Sequence, residues 1–141
     1  MNNRFKFRVW LPSLNKFGSD NSVFMDCCGK LYGVTRPSLV DDSRSIVNIG
    51  QFKEFSGHTI QWYTGLNDKN GNLIFEGDIV QYNQNSSYDN MNFIARWSDN
   101  QLGFIFQSNS GEQLVNQTPH LNRFKHLEVV GNIFEHENLL K

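Results

Sequence analysis

Four histidines and two adjacent cysteines are the side chains of this 141-residue chain best suited to metal binding or nucleophilic catalysis, and their spacing supports neither. His58, His120, His126 and His136 form no His-x-x-x-His pair, and Cys27-Cys28 lacks the Cys-x-x-Cys interval typical of zinc sites. A thiol nucleophile would need His58 or His120 beside Cys27 or Cys28 as its base. No motif around the cysteines favours that over burial as small hydrophobes. Among the carboxylates, Asp41-Asp42 reads as a solvated loop pair. Glu76-Gly77-Asp78 reads as architecture, with Gly77 permitting a tight turn and Asp78 accepting backbone N–H groups left over there. Asn70-Gly71-Asn72 and Glu76-Gly77-Asp78 also lack the spaced glycines and lysine of a phosphate cradle. The expectation is a protein without catalytic residues, metal or cofactor, leaning away from an enzyme.

Basic and aromatic residues point to binding instead. Arg4, Lys6 and Arg8 alternate with Phe5, Phe7 and Val9, which would place the three cations on one face of a strand roughly 13 Å long. Such a row could follow phosphates, with aromatics stacking on bases. Arg123 and Lys125, between His120 and His126, form a second basic group. Together these five cations are a candidate partner or nucleic-acid surface. The competing reading is a solvent-facing edge strand whose charges block aggregation. Trp62, Tyr63, Trp97, Phe104 and Phe106 lie in alternating segments, so some must be core. Trp62 and Tyr63 point to opposite faces, so one of them should approach the surface and suit a protein interface.

The elements that carry these residues are strands. Alanine occurs once, at Ala95, while Asn is abundant, and Asn favours turns over helix interiors. Strand patterns fall at Arg4–Trp10, Val23–Met25, Leu31–Val34, Ser45–Ile49, Ile60–Thr64, Leu73–Phe75, Ile79–Tyr82, Phe93–Trp97, Leu102–Phe106 and Leu127–Val130. Gly65 and Gly131 are expected to end strands, residues 13–21 to form a polar turn, and Phe52 to sit near a helical turn. Asn70-Gly71 is a strong hairpin signal, and a short terminal helix is expected over Glu135–Leu140. Strand signals about 8–12 residues apart favour an antiparallel barrel or sandwich. The Gly77-Asp78-Ile79-Val80 string is like the start of a strand in many SH3-like barrels, an analogy of fold alone.

A hydrophobic content of 38% with 12 Phe is enough for a core in one domain, 1–141, with a subdivision into 1–58 and 59–141. The net charge of −1 removes the long-range field of a strongly basic nucleic-acid binder. No apolar run reaches about 18 residues, and MNNRFKFRVWLPSLN interrupts every apolar stretch with charge, so neither a membrane span nor a signal peptide is expected. Adjacent cysteines cannot easily bond each other, which suits a reducing cytoplasm.

Four blocks resemble the phage- and prophage-encoded YopX-like proteins: RFKFRVW at 4–10, QWYTGLNDKNGNLIFEGDIVQY at 61–82, ARWSDNQLGFIF at 95–106 and LEVVGNIFEHENLL at 127–140. Their order and spacing match as well. The chain departs from that family where Leu11, not an acidic residue, follows Trp10, and where His136-Glu137-Asn138 replaces a proline-containing final turn. The resemblance implies a mainly β fold with a small antiparallel, SH3-like barrel in the second half, an irregular β-rich N-terminal part and little helix. It implies no activity whose residues could be carried over. The leading expectation is a non-enzymatic phage or prophage accessory protein in the cytoplasm of a bacterial host, acting through protein–protein contacts with a host protein, a phage protein or its own copies as a homo-oligomer. The alternative is a nucleic-acid-binding accessory factor in phage replication or regulation.

Overall fold

The computed structural model describes residues 6–18, 23–25, 30–34, 52–54, 58–83, 87–114 and 123–140. It is mainly β. The strands are β1 (Phe7–Leu11), β2 (Lys16–Phe17), β3 (Val23–Met25), β4 (Leu31–Val34), β5 (Phe52–Glu54), β6 (Thr59–Asn67), β7 (Leu73–Phe75), β8 (Asp78–Tyr82), β9 (Asn92–Ser98), β10 (Gly103–Gln107) and β11 (Leu127–Asn132). Helix among the described residues is limited to 3-10 turns at Pro12–Leu14, Arg123–His126 and Glu137–Leu140, and none is long and apolar enough to cross a membrane. The chain divides into two units, Arg8–Ile60 on the one hand, and Met1–Phe7 with Gln61–Lys141 on the other.

In the unit Arg8–Ile60, β1 and β2 pair antiparallel with Trp10 opposite Phe17. Residues 13–21 are therefore not all turn. Pro12 starts the 3-10 turn, where its missing N–H costs nothing, and Asn15 closes it in the left-handed region. Val9 and Trp10 are both buried although they are neighbours on a strand. Neighbours point to opposite faces, so β1 is covered on both sides here, which simple alternation does not convey. Strands β3, β4 and β5 form a three-stranded antiparallel sheet with Phe52 opposite Val34. Phe52 thus lies in a strand and not in a helical turn, because pairing to β4 outweighs local preference. The expected strand at Ser45–Ile49, the Asp41-Asp42 pair and Cys27-Cys28 lie outside the described residues.

In the larger unit, a four-stranded antiparallel sheet runs in the order β10-β9-β8-β11. Its inward side chains Val80, Phe93, Ala95, Phe106 and Leu127 close one core with Ile74 of β7 and Leu114. Five strands share that core, so the sheet curls around it like part of a barrel. Pairing is irregular at two places. The register of β6 with β7 shifts between Tyr63 and Asn67, and that of β11 with β8 shifts between Val129 and Gly131. Gly65, with φ 86°, lets β6 bulge and continue to Asn67 where a break is expected from sequence. Gly131 likewise lies inside β11.

Candidate functional site: an aromatic groove on two braced turns

The first turn is built on Asp68, a buried carboxylate. Its Oδ1 accepts the N–H groups of Asn70 and Asn72 at 2.8 and 2.9 Å. Its Oδ2 accepts Asn72 Nδ2 at 3.1 Å and the Val129 N–H at 3.2 Å. Gly71 N donates to the Asp68 carbonyl and Lys69 N to the Leu127 carbonyl, so the turn is sewn to β11. An ion pair of 2.6 Å between Lys69 and Glu128 adds to the seam. Burial pushes the Asp68 carboxyl up, but the hydrogen bonds from Asn72, Val129 and Asn70 outweigh it and hold the group below its ordinary 3.8.

The second turn, Glu76-Gly77, rests on a buried polar knot. Gln61, Asp78 and Asn132 are 2%, 1% and 3% exposed, deeper than most charged or amide groups ever lie. Asn132 Nδ2 donates to Asp78 Oδ1 at 3.1 Å and to Gln61 Oε1 at 3.3 Å. Asp78 Oδ2 accepts the Phe75 N–H at 2.8 Å, and the Asn132 side-chain oxygen accepts the Phe134 N–H at 3.0 Å. Gly77 has φ 79°, and a Cβ there would stand 2.1 Å from Gln61 Nε2. The backbone is pinned as well: Glu76 N donates to the Trp62 carbonyl and Gly77 N to the Ala95 carbonyl, both at 2.8 Å. Glu76 is thereby fixed between β6 and β9.

These braces set out a groove of about 490 Å³ lined by Trp62, Tyr63, Glu76, Trp97 and Phe104. Its rings are exposed for a geometric reason. Trp97 follows Ala95, and Phe104 precedes Phe106, at the two-residue spacing of one strand face. Ala95 and Phe106 fill the core, and the next pair emerges beyond its end. Trp97 and Phe104 are opposite each other in the β9–β10 register and meet edge to face with centroids 5.2 Å apart. The Trp97 indole N–H donates to Asp99 Oδ1 at 3.0 Å. Trp62 leans on Phe7 at 5.7 Å, while Tyr63 packs on Phe75 at 5.9 Å and donates its hydroxyl to Asn67 Oδ1 at 2.6 Å. Trp62 remains 37% and Trp97 49% exposed. Tryptophan is one of the residues enriched at the energetic hot spots of protein interfaces.

Of the cations singled out from sequence, Arg4 lies outside the described residues. Lys6 is half-buried, and its carbonyl accepts the Tyr63 N–H. The Arg8 guanidinium lies 4.3 Å from the Phe17 ring centroid. Arg123 opens the 3-10 turn before β11, and Lys125 borders a second hollow with Asp68, Lys69 and Phe124. His58 has a buried Nδ1 with no hydrogen bond, while Cys27, Cys28 and His120 are outside the described residues. Among the described residues no three His, Cys, Asp or Glu side chains gather as metal ligands. Gln61 and Asn132 went unnoticed in the sequence. Their positions carry no distinctive signal, since β6 also holds Thr59, Thr64 and Asn67 and β11 also holds Glu128.

The fold and groove define a class: a small, mainly β, barrel-like domain with fixed aromatic side chains at one rim of its core. The chain belongs to the YopX family, whose model matches residues 6–141. It is similar in fold to the crystal structure of protein EF1440 from Enterococcus faecalis, with 24% identity over 96% of this chain and 97% of that one and a TM-score of 0.59. It is also similar to the crystal structure of protein YopX from Bacillus subtilis, with 15% identity over 100% of both chains and a TM-score of 0.57. No curated protein sequence matches it.

Proposed function

We propose that this chain is a non-enzymatic accessory protein of phage or prophage origin that binds another protein through the groove of Trp62, Tyr63, Glu76, Trp97 and Phe104. The observation that carries the reading is the exposure of two indoles, 37% and 49%, held in place by Phe7, Phe104 and Asp99. Fixed aromatics lose little conformational freedom on binding, so more of their contact energy remains as affinity. The resemblance to phage-encoded proteins supports the origin, and the groove's open aromatic lining supports macromolecular recognition over turnover of a small molecule.

The test uses tagged full-length protein in a host lysate, with and without nuclease. The double variant Trp62→Ala/Trp97→Ala is run beside it after its unfolding midpoint has been compared with wild type. The expected result is one stoichiometric protein partner that resists nuclease and is lost in the variant, with affinity falling by about 30-fold or more. Recovery unchanged in the variant removes the groove as the interface. Recovery of nucleic acid, with affinity falling steeply as salt rises, favours the nucleic-acid reading instead.

A further inference from the structure

The groove carries a carboxylate, that of Glu76. Glu76 is half-buried and lines the groove with aromatic residues, and its carboxylate makes no hydrogen bond or ion pair among the described residues. Two of the polar groups among the described lining residues are already committed. The Trp97 N–H is bonded to Asp99 and the Tyr63 O–H to Asn67, so among the described lining residues the Trp62 N–H is the one side-chain donor left. What remains is two indole faces, a phenyl edge and one carboxylate. An apolar side chain seated there would cover the charge without replacing its water, which is costly. A cation would satisfy the carboxylate and be drawn to the indole faces.

We propose that the groove receives an arginine side chain from an extended segment of the partner protein, with its guanidinium stacked on Trp62 or Trp97 and its N–H groups bonded to Glu76. Arginine suits this better than lysine because its planar, weakly hydrated guanidinium can stack and present a donor fork to one carboxylate at once. The chain uses the same stacking internally, where Arg8 lies over Phe17. This inference rests on the groove being the interface and adds the chemistry of its ligand.

The probes are acetylated, amidated peptides that differ only at a central residue: arginine, lysine, its neutral isostere citrulline, or leucine. Binding to the full-length protein is followed by the indole N–H signals of Trp62 and Trp97 in nitrogen–proton correlation spectra, which detect weak association. The arginine peptide should shift both signals, with citrulline and leucine at least about tenfold weaker and lysine between. Glu76→Gln, which keeps the side chain's volume, should lower arginine-peptide affinity about tenfold and leave the unfolding midpoint unchanged. Equal binding of the citrulline or leucine peptide, or no effect of Glu76→Gln, overturns the proposal, as does the absence of binding by every peptide. The two readings fail separately. A partner lost in Trp62→Ala/Trp97→Ala but retained in full by Glu76→Gln leaves the groove as interface and removes the arginine, whereas a partner retained by both removes the groove.

Discussion

Gly77 shows how a single atom can set the shape of this site. Its φ of 79° lies where L side chains are strained, and an added Cβ would meet Gln61 Nε2 at 2.1 Å. Gln61 cannot withdraw freely, because its Oε1 is held by Asn132 and both residues are buried. Gly77→Ala should therefore destabilise the fold by about 2–4 kcal/mol, adding a clash in a packed interior to backbone strain. Gly71 has a similar φ of 87° but open space around it, so Gly71→Ala should cost only about 1–2 kcal/mol. Chemical denaturation of the two variants measures the difference, and equal losses would show that the knot does not confine Gln61. Glu76 belongs to the same scale. The sequence marks it as part of a turn, and the structure adds that this turn places it on the lining of a groove with two tryptophans.

At the scale of elements, the Asp68 turn joins the β6–β7 hairpin to β11 through hydrogen bonds to a carboxylate. The carboxyl is held below its ordinary value in the folded chain. Its stabilising contribution is therefore present in full above 3.8, the value expected when unfolded, and is lost as pH falls through the lower folded value. Asp68→Ala should be destabilised by about 2–3 kcal/mol at neutral pH, with the gap to wild type narrowing as pH is lowered below that range. Unfolding midpoints of the two proteins across an acid series test this, and a gap that does not change with pH would mean that Asp68 acts through shape alone. The β9–β10 hairpin plays a comparable part for the groove. It brings Trp97 opposite Phe104 and places Asp99, two residues on, to hold the indole.

For the molecule as a whole, stability should concentrate where both neighbours of a strand are paired and both faces are covered. That describes β8, between β9 and β11, and β9, between β8 and β10. Ile79, Val80, Phe93, Ile94 and Ala95 are all buried there. Their amides should be the slowest to exchange with deuterium among the described strands, with β2 and β7 faster, because opening β8 or β9 exposes the shared core. Comparable protection in β2 would contradict this picture of the core. Of the groove's aromatic residues, Trp97 stands on β9 itself and Phe104 on β10, paired to it.

The sequence by itself determined the local geometry and the family. Runs of β-branched and aromatic residues bounded by turn residues located β8, β9 and β10 within a residue or two. Asn70-Gly71 and Gly77-Asp78 marked the turns, because few residues adopt such backbone angles without strain. The QWYTGLNDKNGNLIFEGDIVQY block identified the family. Other features were decided only in three dimensions. Gly65 and Gly131 read as strand ends, but pairing to β7 and β8 carries both strands past them. Phe52 became strand through β4. The sequence could say that Trp62 and Tyr63 face opposite ways on a strand, but not that Trp62 would share a groove with Glu76 and Trp97, 14 and 35 residues away. Alternation fixes the face a side chain takes on its own strand, whereas its neighbours across the groove depend on strand order, register and curvature, which are set by long-range pairing around a common core.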